Sequence, residues 1–349
     1  MQNETDSLVS RNESNAIKGV LILAIILGHT IPFIRLTDSW KIMVWFYLFH
    51  IGSFFLLPCL YPPKRLSWER IRDYLIRFYV PFVWLFFPLL IFNIAWRGKT
   101  SSIYDCVLAF VGGGAIHLRN IIGVQFPWFL VAMFFVSIVR DAYELSSREL
   151  KKVLICLGVL SLLFAFHAKG KPVCFALLNY WGIAFRFLVI GIAVRFSLDR
   201  RWFGAPLLAG FFLLGSFCFF LHYRYCLMPF VYGYPSRSIY VFLRMVMAPT
   251  FIMLLWYVRS FLANSKVLVF LGEHSLPIYL SHTFIGYAAN WALLHFGVND
   301  LLGAPLCYMI MILGSVSLAI GFEAMGMFKS LFMPRGWFDF KRALLLGRC

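Results

Sequence analysis

The sequence predicts an all-α fold, a polytopic transmembrane helix bundle of about ten spans with both termini cytoplasmic, and three observations predict it. Of its 349 residues, 61% are hydrophobic and 13% charged, whereas a water-soluble domain carries about a quarter charged residues. Apolar runs long enough to cross roughly 30 Å of hydrocarbon recur along nearly the whole chain. Lys and Arg fall in short clusters between those runs, heavier on alternate sides. The net charge of +17 therefore reads as membrane topology, not as one basic face for nucleic acid, and no nucleic-acid partner is expected.

In chain order, residues 1–15 form a polar cytoplasmic tail, and Glu4, Asp6 and Glu13 set it apart from the basic start of a cleavable signal. Residues 16–324 form one membrane domain with spans at 16–34, 42–61, 78–96, 124–140, 153–168, 173–194, 203–222, 238–258, 276–297 and 303–324. The stretch "FVGGGAIHLRNIIG" before the fourth span suits a re-entrant or interfacial segment, since irregular backbone at membrane depth needs cover from protein or water. Ten spans put both termini on one side. Of the 32 Lys and Arg, 21 fall on that side and 9 opposite, with Arg186 and Arg244 inside spans. The positive-inside rule makes the richer side cytoplasmic.

Residues 325–349 are a second cytoplasmic tail, where Trp337, Phe338 and Phe340 mix with Arg335, Lys341 and Arg342. That pattern fits a helix lying in the inner interface or, equally, a solvated basic tail. The eight cysteines show no metal-ligand spacing and read as packing residues, so neither a metal site nor a disulfide framework is expected.

Polar side chains inside the apolar runs carry the functional signal, because they are costly there and usually functional. In "AIKGVLILAIILGHT" Lys18 stands at the cytoplasmic boundary and His29 lies 11 positions on, about three turns and ~16 Å deeper on nearly the same stripe. A cation at the mouth and an imidazole in the depth suit an anionic molecule entering from the cytoplasm. The plain alternatives are a snorkelling anchor for Lys18 and an interhelical hydrogen bond for His29. His50 falls near the centre of the second span, and Arg186 and Arg244 put guanidiniums into apolar runs where no Asp or Glu lies to pair with them. Arg244 is near enough to a span end to snorkel. Lys64, Arg65, Arg70, Arg72 and Arg77, in "PPKRLSWERIRDYLIRFYVP", form either a phosphate-binding mouth or simple topogenic charge.

Four patches, in order, resemble the acyltransferase-3 family of membrane proteins. "IKGVLILAIILGH" resembles its first-helix signature of a basic residue, ten spacers and a histidine. "FYLFHIGSFF" looks like its Phe-His element, "FPWFLVAMFF" is similar to its Trp-Phe-Leu element, and "FLGEHSLPIYLSH" resembles its late Ser-Leu-x-Ile-Tyr-Leu-x-His element. The patches run from residue 17 to 282. The chain departs from the family at Ile51, Gly52 and Ser53 after the histidine, and at Pro58-Cys59. Anchored on Arg77 and Pro81, the first of the family's paired arginines falls at Tyr74, with Arg70 and Arg72 one turn earlier.

The resemblance implies an integral membrane sugar O-acetylase of the bacterial inner membrane, without a fused soluble domain. Its co-substrate would be cytoplasmic acetyl-CoA, with no permanently bound cofactor, and its acceptor an envelope carbohydrate such as an O-antigen, an exopolysaccharide or a lipid-linked sugar. Carried over by position, His29 is the essential histidine and Lys18 its partner near the donor, while Trp128, Phe129, Tyr279 and His282 match the central and late elements. Lys18, Arg70, Arg72 and Arg77 would hold the 3′-phospho-ADP of CoA, His29 would act as base with His50 nearby, and Arg186 or a Tyr/Trp donor would stabilise the oxyanion. An acyl-histidine intermediate is the competing route. Outside the family, buried arginines and histidines on ten spans also fit a polysaccharide or lipid-linked sugar flippase.

Overall fold

The structure is a computed structural model and describes residues 7–36, 40–61, 66–97, 102–112, 115–124, 127–167, 176–225, 237–326, 334 and 336–346. Among these residues every regular element is helical. The helices are α1 (Arg11–Gly28), α2 (Ile31–Leu36), α3 (Trp40–Leu56), α4 (Trp68–Arg97), α5 (Ile103–Gly112), α6 (Ala115–Ile122), α7 (Trp128–Leu145) and α8 (Arg148–His167). There follow α9 (Ala176–Asp199), α10 (Ala205–Tyr225), α11 (Arg237–Tyr257), α12 (Arg259–Ala263), α13 (Lys266–Glu273), α14 (Ser275–His295), α15 (Asp300–Ala324) and α16 (Trp337–Leu346).

Three of these are long and apolar enough to cross a bilayer: Trp68–Ala95 within α4, Tyr180–Asp199 within α9, and Asp300–Ala324, which is α15. α4 turns Trp84, Phe87, Ile91 and Phe92 outward, and α15 does the same with Leu302, Leu306, Met309 and Leu313. In water such rows would be adhesive patches, whereas hydrocarbon solvates them. The Gly-rich stretch resolves into α5 and α6 on either side of residues 113–114, and at 10 and 8 residues each is too short to span.

The chain divides into two compact units: Met1–Pro62, Ala165–His167 and Ile190–Gly321 in the first, Pro63–Phe164, Ala168–Val189 and Phe322–Cys349 in the second. In the first unit α1 is the axis, in contact with α3, α12, α13 and α14. It begins at a capping box, in which the Ser10 hydroxyl accepts from the Glu13 N–H and the Ser10 N–H donates to the Glu13 carboxylate. Its closest neighbour is α13, running antiparallel. A Cβ on Gly19 would meet the Leu268 carbonyl oxygen at 2.2 Å, and one on Gly272 would meet the Asn15 carbonyl oxygen at 1.7 Å. Only glycine admits backbones this close, the small-residue packing that joins helices where lipid removes the hydrophobic drive.

α3 packs on α11 in the same unit, with the Ser53 hydroxyl donating to the Ala248 carbonyl at 3.1 Å. Phe46, Leu48, Phe49, Phe219, Leu243 and Met247 form its buried core. At the far end of α1, Arg35 on α2 grips Asp300 at the head of α15 through Nε and NH2, and it also donates to Asn290 of α14. In the second unit α4 packs against α6, α7 and α16.

Candidate active site

The first predicted span is not one helix. α1 stops at Gly28, His29 takes the cap position with φ −105° and ψ 2°, and the chain starts again as α2. A helix end leaves carbonyls unsatisfied, and two side chains at the break answer them. His29 Nδ1 lies 2.8 Å from the Ile25 carbonyl oxygen, and the Thr30 hydroxyl donates to the Ile26 carbonyl at 3.0 Å. Pro32 follows in the first turn of α2, and without an N–H it cannot carry the hydrogen-bond ladder of α1 on to the Gly28 carbonyl. The imidazole is therefore held at a helix break, not carried through a continuous span.

Around it stand residues from α3 and α14. His29 Nε2 is 2.6 Å from the Tyr47 hydroxyl. The His29 ring meets the Tyr47 ring at a centroid distance of 5.6 Å and the His282 ring at 5.1 Å, both edge-on. Tyr47 lies 5.0 Å from His50 by ring centroids, and Tyr279 lies 5.7 Å from His282. His50 and His282 are fully buried. Arg244 lies on α11 of the same unit, half-buried.

The tautomers follow from the partners. A carbonyl oxygen only accepts, so an imidazole nitrogen facing one carries a proton, and in the neutral ring the other nitrogen keeps its lone pair. Nδ1 of His29 faces Ile25, Nδ1 of His50 faces Phe46, and Nδ1 of His282 faces Tyr279 at 2.7 Å. All three rings thus present Nε2 as the basic nitrogen. For His29 that nitrogen accepts from Tyr47, for His282 the Thr283 hydroxyl stands 3.2 Å away, and for His50 it is buried with no hydrogen-bond partner among the described residues.

Lys18 belongs to the same unit, near the middle of α1. It donates to the Asn15 side chain at 3.1 Å, and Asn15 in turn donates to Glu273 at 3.2 Å, which Arg11 approaches to 3.6 Å. Nearby, burial would raise the Glu13 carboxyl, but the Ser10 N–H, the hydroxyls of Ser260 and Ser10 and the Arg259 guanidinium outweigh it and hold it below its usual value.

The remaining predicted residues belong to the second unit. Arg70 stacks over the Tyr74 ring at 4.5 Å and reaches to 3.8 Å of Asp141, a fully buried carboxylate. Tyr74 donates to Asp141 at 2.6 Å, and Arg140 donates to its other oxygen through Nε at 2.9 Å and NH2 at 2.5 Å. Arg72 lies 5.0 Å over the ring of Trp337, whose backbone N–H donates to Asp73 at 2.9 Å and ties α16 to α4. Arg77 is exposed beside Phe78. Arg186 donates from Nε to the Gly182 carbonyl of its own helix at 3.0 Å, so a backbone carbonyl and not a carboxylate meets it there. Trp128 opens α7, half-buried after Pro127.

His29, His50, Tyr279 and His282 are thus brought together by the fold. Lys18 stands about three turns along α1 from His29, and Arg70, Arg72, Arg77, Trp128 and Arg186 are placed in the second unit. Tyr47, Asn15 and Asp141 were not among the expected site residues. Their signals were faint: a tyrosine three positions before His50, an asparagine three before Lys18, and one acid just past the fourth predicted span. Comparison with known protein families, with curated proteins and with solved structures returns no match for this chain.

Proposed function

We propose that the chain is an integral membrane O-acetyltransferase that moves the acetyl group of cytoplasmic acetyl-CoA to a hydroxyl of an envelope carbohydrate. In this reading it is a ten-span protein of the bacterial inner membrane with both termini in the cytoplasm. The observation that carries the proposal is the placement of His29: an imidazole at a helix break, with Nδ1 held on the Ile25 carbonyl and Nε2 turned to a hydroxyl, the arrangement a neutral ring needs to act as a base through Nε2. A sugar hydroxyl does not ionise near neutrality and needs a base as it attacks, and a positioned imidazole supplies about 100-fold to 10,000-fold. The four ordered patches that resemble the acyltransferase-3 family support the same reading, since they supply His29, His50, Tyr279 and His282 independently of the geometry.

The alcohol oxygen attacks the thioester carbonyl, its proton passes to Nε2, the carbon–sulfur bond breaks, and the CoA thiolate recovers the proton. Direct transfer is favoured over an acyl-histidine, because Nε2 is already engaged with the Tyr47 hydroxyl. Lys18, on the helix that ends at His29, offers a donor for a phosphate of CoA, and the resemblance assigns Arg72 and Arg77 the same task. Arg70 is drawn toward Asp141 and serves mainly to shape that surface.

Mass spectrometry of envelope glycan from otherwise identical cells with and without the chain tests the proposal. Base-labile acetyl groups that appear with the chain are the expected result. A change in glycan amount or length with acetylation unaltered would overturn it and point to transport.

A further inference from the structure

His29 has one lone pair, on Nε2, and the Tyr47 O–H occupies it at 2.6 Å. An incoming alcohol therefore cannot hydrogen-bond to that nitrogen unless Tyr47 first leaves. His50 and His282 are fully buried and Tyr279 nearly so, whereas His29 and Tyr47 keep part of their surface open. Tyr47 is also placed firmly. It stands on α3 one turn before His50, between Phe46 and Leu48, both buried in the core shared with α10 and α11.

From this geometry we infer that Tyr47 is a proton relay between the acceptor hydroxyl and His29, the group that the acceptor alcohol touches in place of the imidazole. The inference rests on the acetyl-transfer reading of the same site. A phenol oxygen donates and accepts at once. As the alcohol oxygen bonds to the thioester carbon, its proton moves to the Tyr47 oxygen and the Tyr47 proton moves to His29 Nε2. When the carbon–sulfur bond breaks, the same two protons run back, from Nε2 to Tyr47 and from Tyr47 to the departing thiolate. The sum is alcohol plus acyl thioester giving ester plus thiol, with Tyr47 and His29 restored. Two protons are in flight in each direction, where a lone imidazole base would move one.

The test uses membrane vesicles from an expressing strain, with their own glycan as acceptor and radiolabelled acetyl-CoA as donor. Tyr47→Phe, at equal protein level, is expected to lower kcat by about 100-fold, the low end for general acid–base catalysis, and to leave KM for acetyl-CoA within about twofold. The parent chain in mixtures of light and heavy water is expected to give a bowed dependence of rate on deuterium fraction, the signature of two protons in flight. That measurement decides the matter should the variant fail to accumulate. Parental kcat in Tyr47→Phe, or a straight dependence in the parent, overturns the relay alone. Absence of any acetyl transfer by the parent chain removes the reaction and the relay with it.

Discussion

In the first unit three imidazoles are fixed by carbonyls of their own helices, and a phenol meets the lone pair of one of them. In the second, two guanidiniums and a phenol converge on the single carboxylate of Asp141. The two arrangements use similar side chains to opposite ends. A carbonyl orients an imidazole without giving it a counter-ion, so the ring stays a base. A carboxylate neutralises a guanidinium, so the cluster becomes a rigid strut. Tyr47 donates to an imidazole and Tyr74 to a carboxylate, and only the first pairing sets a phenol hydroxyl against a basic nitrogen. The comparison teaches that polar groups at depth have to be read by their partners, since their number and type are alike in both places.

Breaking the strut gives the larger of two expected effects on the second unit. Asp141→Asn leaves Arg70 and Arg140 without their buried counter-charge, and loss of one partner of a buried pair costs about 3 kcal/mol. A clear fall in the melting temperature of the detergent-purified protein is expected. An unchanged melting temperature would show that the cluster holds nothing together.

A smaller effect sharpens the comparison from the functional side. Replacing Arg72 and Arg77 together by Ala should raise the acetyl-CoA requirement by about tenfold, the worth of one charge-assisted hydrogen bond. The dependence on acceptor should stay put. Equal donor dependence in parent and variant would return both arginines to a purely topogenic role.

Much of the imidazole cluster was legible in the sequence, because a histidine in an apolar run stands out against its surroundings. His29 and His50 stand out in that way, and Tyr279 and His282 come with the late motif. Tyr47 was not, since a tyrosine in "VWFYLFH" among so many aromatics looks like packing. The break at His29 had a trace in Thr30 and Pro32, but a span-length reading runs hydropathy straight through it. α13 falls wholly between the predicted spans 238–258 and 276–297: Ser265 caps it, yet eight residues are too few to show a period. Its closeness to α1 depends on Gly19 and Gly272, whose meaning appears only when the two are brought face to face. Asp141 falls one position beyond a predicted span, while in space it is fully buried.

The most direct measurement is acetyl transfer by the purified chain in liposomes, comparing the parent with His29→Ala at matched amount and matched melting temperature. Labelled acetyl-CoA is supplied on both faces, and extracted envelope glycan serves as acceptor. Transfer by the parent, reduced by at least about 100-fold in the variant, is the result predicted for an imidazole buried to do chemistry. Transfer by His29→Ala at the parental rate would contradict it.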